Sequence, residues 1–192
     1  MKSSITHAID GEYIREWLVL GPFFPDNLEK DFLADVGGEA NIQPKEGDTV
    51  ITVDGWILTW TRYVSEQDAV YLRDAVGNHQ FAKAYAFCVL QSEPSPPTPI
   101  PEGEGSSDAI YLGSDDGVAV WINGERVHLF PGARSLSLDQ DAFEVSLKTG
   151  ANRCPVKVSN ITGDWAFAMR VLPPERAVIS GAIIDEKDEP IA

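Results

Sequence analysis

The sharpest chemical feature of the chain is Asp115-Asp116-Gly117, two adjacent carboxylates set between apolar runs. A hard cation such as Ca²⁺ takes carboxylate and carbonyl oxygens, so the pair could contribute to a structural calcium site. The same residues also make a β-turn, in which Ser114 and Asp115 accept backbone N–H bonds and Gly117 supplies a permissive φ. The turn is the preferred reading, and the metal is kept beside it. Asp139-Gln140-Asp141, with Glu144 beyond, has a D-x-D spacing but lacks the sixth-position glycine of an EF-hand loop, and reads as solvated. Trp121 falls on the strand face opposite Val118, Val120 and Ile122. Its indole is either a platform on which a sugar ring stacks or a ring covered by a neighbouring loop; cover is preferred, since large aromatics are mostly buried. Asn123 reads as a turn residue. Trp121, Asp115 and Asp116 are thus the candidate ligand-binding residues, and Asp115 and Asp116 the candidate metal ligands.

No catalytic residue is assigned. His7, His79 and His128 show no metal-ligand spacing, and no nucleophile elbow, P-loop or dinucleotide fingerprint occurs. Glycoside hydrolysis needs two carboxyls at a set distance in space, which thirty acidic residues cannot reveal by their presence. The chain therefore reads as non-catalytic, with an unrecognised polysaccharide lyase or hydrolase site as the least favoured alternative.

Charge narrows the partners. Fifteen Lys and Arg against thirty Asp and Glu give a net −15. That balance lacks the cationic footprint of a nucleic-acid binder and does not suit an anionic membrane surface. No run of 18 apolar residues is present, so no membrane insertion is expected. The start, Met1-Lys2-Ser3-Ser4, lacks the apolar core of a signal peptide, so the chain reads as either a cytoplasmic protein or an internal piece of a longer one. Cys88 lies in an apolar run and Cys154 beside Pro155; two separately buried thiols are preferred to one bridge.

The elements that must position these residues are strands. Sixteen glycines and thirteen prolines punctuate short aromatic and β-branched runs. Trp17–Leu20, Thr49–Val53, Trp56–Tyr63, Val70–Leu72, Ala84–Leu90, Ile110–Leu112, Val118–Ile122, Arg126–Phe130, Phe143–Leu147, Val156–Val158 and Trp165–Leu172 all read as β. Asp54-Gly55 and Asn123-Gly124 predict hairpin turns. Trp56, Leu58 and Trp60 share a strand face and are expected in the core, as are Trp165, Phe167, Met169 and Val171. A short helix is expected within Asp26–Asp35, and Glu66–Val76 could be helical by composition. The Pro-rich residues 93–107 form an extended loop. The expected fold class is all-β, a jelly-roll β-sandwich of about ten short strands with at most one or two short helices.

Two resemblances rest on these runs. Trp17-Leu18-Val19-Leu20-Gly21-Pro22-Phe23, Ala84-Tyr85-Ala86, Leu112 to Glu125 and Gly163-Asp164-Trp165-Ala166-Phe167, in that order, resemble the galactose-binding-like, carbohydrate-binding-module-like accessory domains of large secreted bacterial proteins. Ser114-Asp115-Asp116-Gly117 also looks like the PA14 domain, in whose sugar-binding members an Asp pair holds a calcium that bonds sugar hydroxyls. Residues 1–174 are assigned to this sandwich, with 93–107 as an insertion, and the resemblance implies a strand at Val70–Leu72 followed by a loop rather than a helix. Val178 to Asp185, then Pro190-Ile191, is similar to the opening of a carboxypeptidase-regulatory-like sandwich, so 175–192 reads as a linker and a truncated first strand. The resemblances imply an extracellular or cell-surface module, with polysaccharide or glycan and the adjacent modules of its own polypeptide as partners. Structural Ca²⁺ is the one cofactor they imply. The alternative is an architectural or protein-interaction sandwich with no glycan ligand.

Overall fold

A computed structural model describes residues 4–24, 27–93 and 107–173. The bulk of the Pro-rich segment and the whole of residues 175–192 lie outside the described residues. The strands are β1 Thr6–Ala8, β2 Glu16–Phe23, β3 Thr49–Ile51, β4 Ile57–Thr59, β5 Thr61–Val64, β6 Val70–Tyr71 and β7 Ala82–Ser92. After the insertion follow β8 Asp108–Asp115, β9 Val118–Ile122, β10 Glu125–Phe130, β11 Asp141–Val145, β12 Gly150–Asn160 and β13 Ala166–Leu172.

The expected all-β sandwich is observed. One sheet runs β10-β9-β12-β7-β2-β5, with β1 parallel to the far end of β7; the other runs β11-β8-β13-β6. From β6 onward the chain crosses between sheets at nearly every connection, so the apolar face of each strand meets the other sheet. Trp17 of β2 and Phe167 of β13 meet edge to face across the core, with centroids 5.1 Å apart. Trp165, Phe167, Met169 and Val171 are all buried, as their alternation predicts. The small residues on the opposite face of β13 have a cause. Ala168 pairs with Gly113 of β8, where an added Cβ would lie 2.0 Å from the Ser137 carbonyl oxygen. The 131–140 loop presses on the outer face there, leaving no room for a side chain.

Several local expectations change. The helix expected within Asp26–Asp35 is only a 3-10 turn over Ala34–Val36, with Gly37 (φ 107°) ending it. The segment after Val70–Tyr71 is not a loop but α1, Leu72–Val76, with Leu72 buried. The predicted strand Trp56–Tyr63 divides at Trp60. Its first part pairs with β3 in a separate ribbon, and β5 joins the large sheet beside β2. Trp60 (3% exposed) and Leu58 are buried, but Trp56 is 61% exposed and is not core. It belongs to the turn, and the ribbon tip gives it nothing to pack against. Asn123 and Gly124 both take positive φ, 51° and 100°, as a type I′ hairpin requires.

Candidate functional site

The large sheet does not leave its outer face open. The segment from Glu29 to Asn41 crosses it and is bound at several points. Arg126, the register partner of Trp121, reaches Glu29, and Arg153 donates to the Asn41 carbonyl. Lys157 of β12 donates to the Lys30 carbonyl (3.0 Å) and to Glu39 Oε2 (2.6 Å). The Tyr85 hydroxyl donates to the same Glu39 oxygen and accepts from the Phe32 N–H. Within the segment, the Asp31 carboxylate accepts the N–H groups of Leu33 and Glu39. Burial outweighs the attraction between the charges here: it holds Glu39 above the usual carboxylate range and Lys157 below that of a free amine.

This crossing segment explains Trp121. Its indole is only 4% exposed, and the Lys157 ammonium stands 5.4 Å over the ring. The covered alternative is therefore the observed one, and the ring has no open face for stacking.

Asp115 and Asp116 close the end of β8, joined by a cis peptide bond. Asp116 is committed to the backbone. Its Oδ1 accepts the Arg134 N–H, and its Oδ2 accepts those of Ile161 (2.6 Å) and Thr162. Ser114 Oγ donates to the Asp116 carbonyl, and Ser159 Oγ accepts the Gly117 N–H. The corner is a clamp that ties the β8–β9 turn to the 131–140 loop and the end of β12. The Asp115 carboxyl is raised, first by burial and then by the neighbouring Asp116 charge. Among the described residues, no group of three or more carboxylate, histidine or cysteine side chains is placed to hold a metal. Calcium takes six to eight oxygens, so a Ca²⁺ here would draw most of its shell from carbonyls and solvent.

Asp139-Gln140-Asp141 is not the solvated loop expected. Asp139 pairs with Arg170 and accepts the Tyr13 hydroxyl, while Gln140 accepts the Ser114 N–H. Asp141 takes two bonds from Arg134 and one from His128, whose ring stacks on Phe143 at 4.6 Å. Arg134 also donates to Ser114 Oγ. The array ties β8, β10, β11 and β13 together as a structural hub. Ser114 Oγ receives its bonds from a guanidinium rather than a base, so the hub lacks the nucleophile–base contact of acyl transfer.

The open site lies elsewhere. A cleft of about 200 Å³ runs between residues 22–24 and 30–35 on one side and the tip of the β3–β4 ribbon on the other. Trp56 (61% exposed) lines it from the ribbon and Phe24 (40%) from the end of β2, with Val53, Lys30, Asp31, Asp35 and Asp54 among the other lining residues. Local chemistry sets both rings. Gly55 turns at φ 81°, Thr52 Oγ1 accepts the Trp56 N–H, and the Trp56 carbonyl accepts the Thr52 N–H. This fixes the Trp56 backbone while its indole projects outward. Phe23 turns inward onto Phe32 and Tyr85, so the next residue, Phe24, turns outward, edge-on to His79. Lys30 lies 4.8 Å over the Phe32 ring. None of Trp121, Asp115 or Asp116 lines this cleft. The sequence predicts the Asp54-Gly55 turn beside this cleft but no site there, and the parity of Trp56 with Leu58 and Trp60 puts its indole in the core.

No family model matches the sequence, and no curated protein does. Among solved structures, the chain is similar to the PA14 domain of the MpAFP antifreeze protein, at a TM-score of 0.44 and 14% identity, covering 84% of each chain. It is similar to a PA14 sugar-binding domain from an RTX adhesin, at 0.32 and 13%, over 50% of this chain and 49% of that one. It is also similar to part of β-glucuronidase 2 of Bacteroides uniformis, at 0.38 and 14%, over 83% of this chain and 17% of that one. No site residue is carried over from any of them.

Proposed function

We propose that this chain is a non-catalytic glycan-binding module whose contact surface is the Trp56–Phe24 cleft. The observation that carries this is an indole left 61% exposed at a hydrogen-bonded turn, sharing with a second exposed ring a mainly apolar cleft that also holds Lys30, Asp31, Asp35 and Asp54. Exposed aromatics on fixed backbone mark binding surfaces, because they bury a large area on contact and lose little side-chain freedom. The C–H face of a pyranose suits such rings, and Asp35, Asp54 and Lys30 can bond its hydroxyls. Three carboxylates (Asp31, Asp35, Asp54) against one ammonium line the cleft, on a chain of net −15, which favours neutral over acidic polysaccharides. The resemblance to carbohydrate-binding accessory domains supports the same reading, and with it a place outside the cell or on its surface beside further modules.

Affinity electrophoresis against neutral and acidic polysaccharides tests this directly. Retention on a neutral glycan that disappears with Trp56→Ala is expected; mobility unchanged on every glycan would sink the proposal. Calcium at Asp115 and Asp116 is a separate, subordinate proposal, supported by the mutual repulsion of the two carboxylates, which a cation would relieve.

One observation favours a second reading. The ribbon also exposes Ile51 (67%), Val53 (81%) and Ile57 (69%), branched aliphatics suited to a protein surface. In that case the ribbon docks a neighbouring module, and the loss caused by Ile57→Ser would appear in module association rather than in glycan retention.

A further inference from the structure

The sequence favours two separate thiols over a Cys88–Cys154 bridge; the strand register brings the two together. Cys88 of β7 and Cys154 of β12 are direct partners across an antiparallel pair, both thiols are free, and both are fully buried. Opposed residues on such strands point to the same face with Cα atoms about 4.5–5.5 Å apart. That lies inside the roughly 4.4–6.8 Å span that disulfides occupy. Pro155 follows immediately, inside a strand flanked by β9 on one side and β7 on the other. Arg153 and Ser159 turn their backbone groups to the β9 side, so the N–H that Pro155 lacks is lost there, and Cys88 and Cys154 face each other as a hydrogen-bonded pair of the β7–β12 ladder.

We infer that Cys88 and Cys154 form a cross-strand disulfide in an oxidising compartment, stapling β7 to β12 across the core. The bond forms at the expense of a disulfide oxidant of the glutathione-disulfide class. The Cys88 or Cys154 thiolate attacks one oxidant sulfur and expels a glutathione thiolate. The second cysteine thiolate then attacks the mixed disulfide and expels the other. Two protein thiols lose two protons and two electrons, and one glutathione disulfide becomes two glutathiones. The exchange needs an accessible thiolate, while both sulfurs are sealed and burial pushes the Cys88 thiol well up. The bond therefore forms while β7 and β12 are still open, and the folded, reduced protein resists oxidation.

The test is refolding of the unfolded, reduced chain by dilution, into glutathione with glutathione disulfide or into reducing buffer. The expected oxidised product is a monomer about 2 Da lighter, unreactive to alkylation in denaturant, with residues 88 and 154 joined in the unreduced digest. Its melting temperature should stand roughly 5–15 °C above that of the reduced product. The Cys88→Ala/Cys154→Ala variant should melt at one temperature in both buffers; if it does not fold, the two wild-type products alone decide. Two alkylatable thiols after oxidative refolding, or a disulfide-linked dimer, would overturn the inference. Rapid oxidation of the already folded protein would overturn its restriction to folding.

Discussion

Lys157 Nζ sits 2.6 Å from Glu39 Oε2, and through this contact the central strand β12 holds the segment that forms one wall of the cleft. The lysine side chain is fully buried and the glutamate is 11% exposed. Removing one partner strands the other without solvent. Lys157→Met should cost about 3–5 kcal/mol, read as a lower urea midpoint. Combining it with Glu39→Gln should cost clearly less than the two single losses summed. Strict additivity would show that the pair does not act as a unit.

Trp56→Ala separates binding from folding. An exposed ring at a ribbon tip contributes little to packing, so stability should stay within about 0.5 kcal/mol of wild type. Retention on a neutral polysaccharide should fall at least about tenfold, the scale of a recognition hot spot. An equal loss of stability would mean that the ring packs inward in solution.

The two aspartates of the β8 corner should behave oppositely. Asp116→Ala leaves the N–H groups of Arg134, Ile161 and Thr162 without their acceptor, a loss of about 2–4 kcal/mol. Asp115→Asn removes a charge that burial and Asp116 already oppose, so stability without calcium should hold or rise slightly. If the corner binds Ca²⁺, the calcium-dependent rise in melting temperature seen in wild type should vanish in Asp115→Asn. The same rise in both proteins would remove the metal from this site.

Alkaline stability carries the mark of Lys83, fully buried at the start of β7. Burial, reinforced by the Lys157 charge, pushes its amine down to about 8 from 10.5. Between those values the unfolded chain holds a proton that the native protein has released. Stability from this group therefore rises as pH climbs through that window. Tyr13 acts in the opposite sense, since burial and its bond to Asp139 push it up to about 12 from 10.0. Above pH 10 the unfolded chain loses that proton first, and stability falls. Urea midpoints across this range should pass through a maximum near pH 10, and Lys83→Met should flatten its acid side.

Much of the fold was legible because side-chain period and turn chemistry are local. The alternation Trp165, Phe167, Met169, Val171 and the Asn123-Gly124 turn needed no tertiary information. What escaped was set by long-range partners. Trp121 has the parity of an outward residue, yet it is buried with Lys157 over its ring, and Lys157 is held by the 29–41 segment. Asp139 and Asp141 look solvated until Arg170 and Arg134 arrive from other strands. Trp56 failed for the reverse reason: it shares parity with Leu58 and Trp60, yet the ribbon tip runs past the edge of the core. The pairing of Cys88 with Cys154 depends on the β7–β12 register, which no single strand encodes.

The β3–β4 ribbon belongs to neither sheet. It is held at its base by Trp60, whose N–H donates to the Asp48 carbonyl and whose carbonyl accepts the Gly47 N–H. The tip can therefore vary in length and in its ring-bearing residues while Val50 and Leu58 at the ribbon's buried face and the core side chains of the two main sheets stay as they are. Such a protein separates what must be inherited unchanged from what is free to diversify. New recognition can arise by editing a dozen residues of one protrusion, without any new solution to the folding problem.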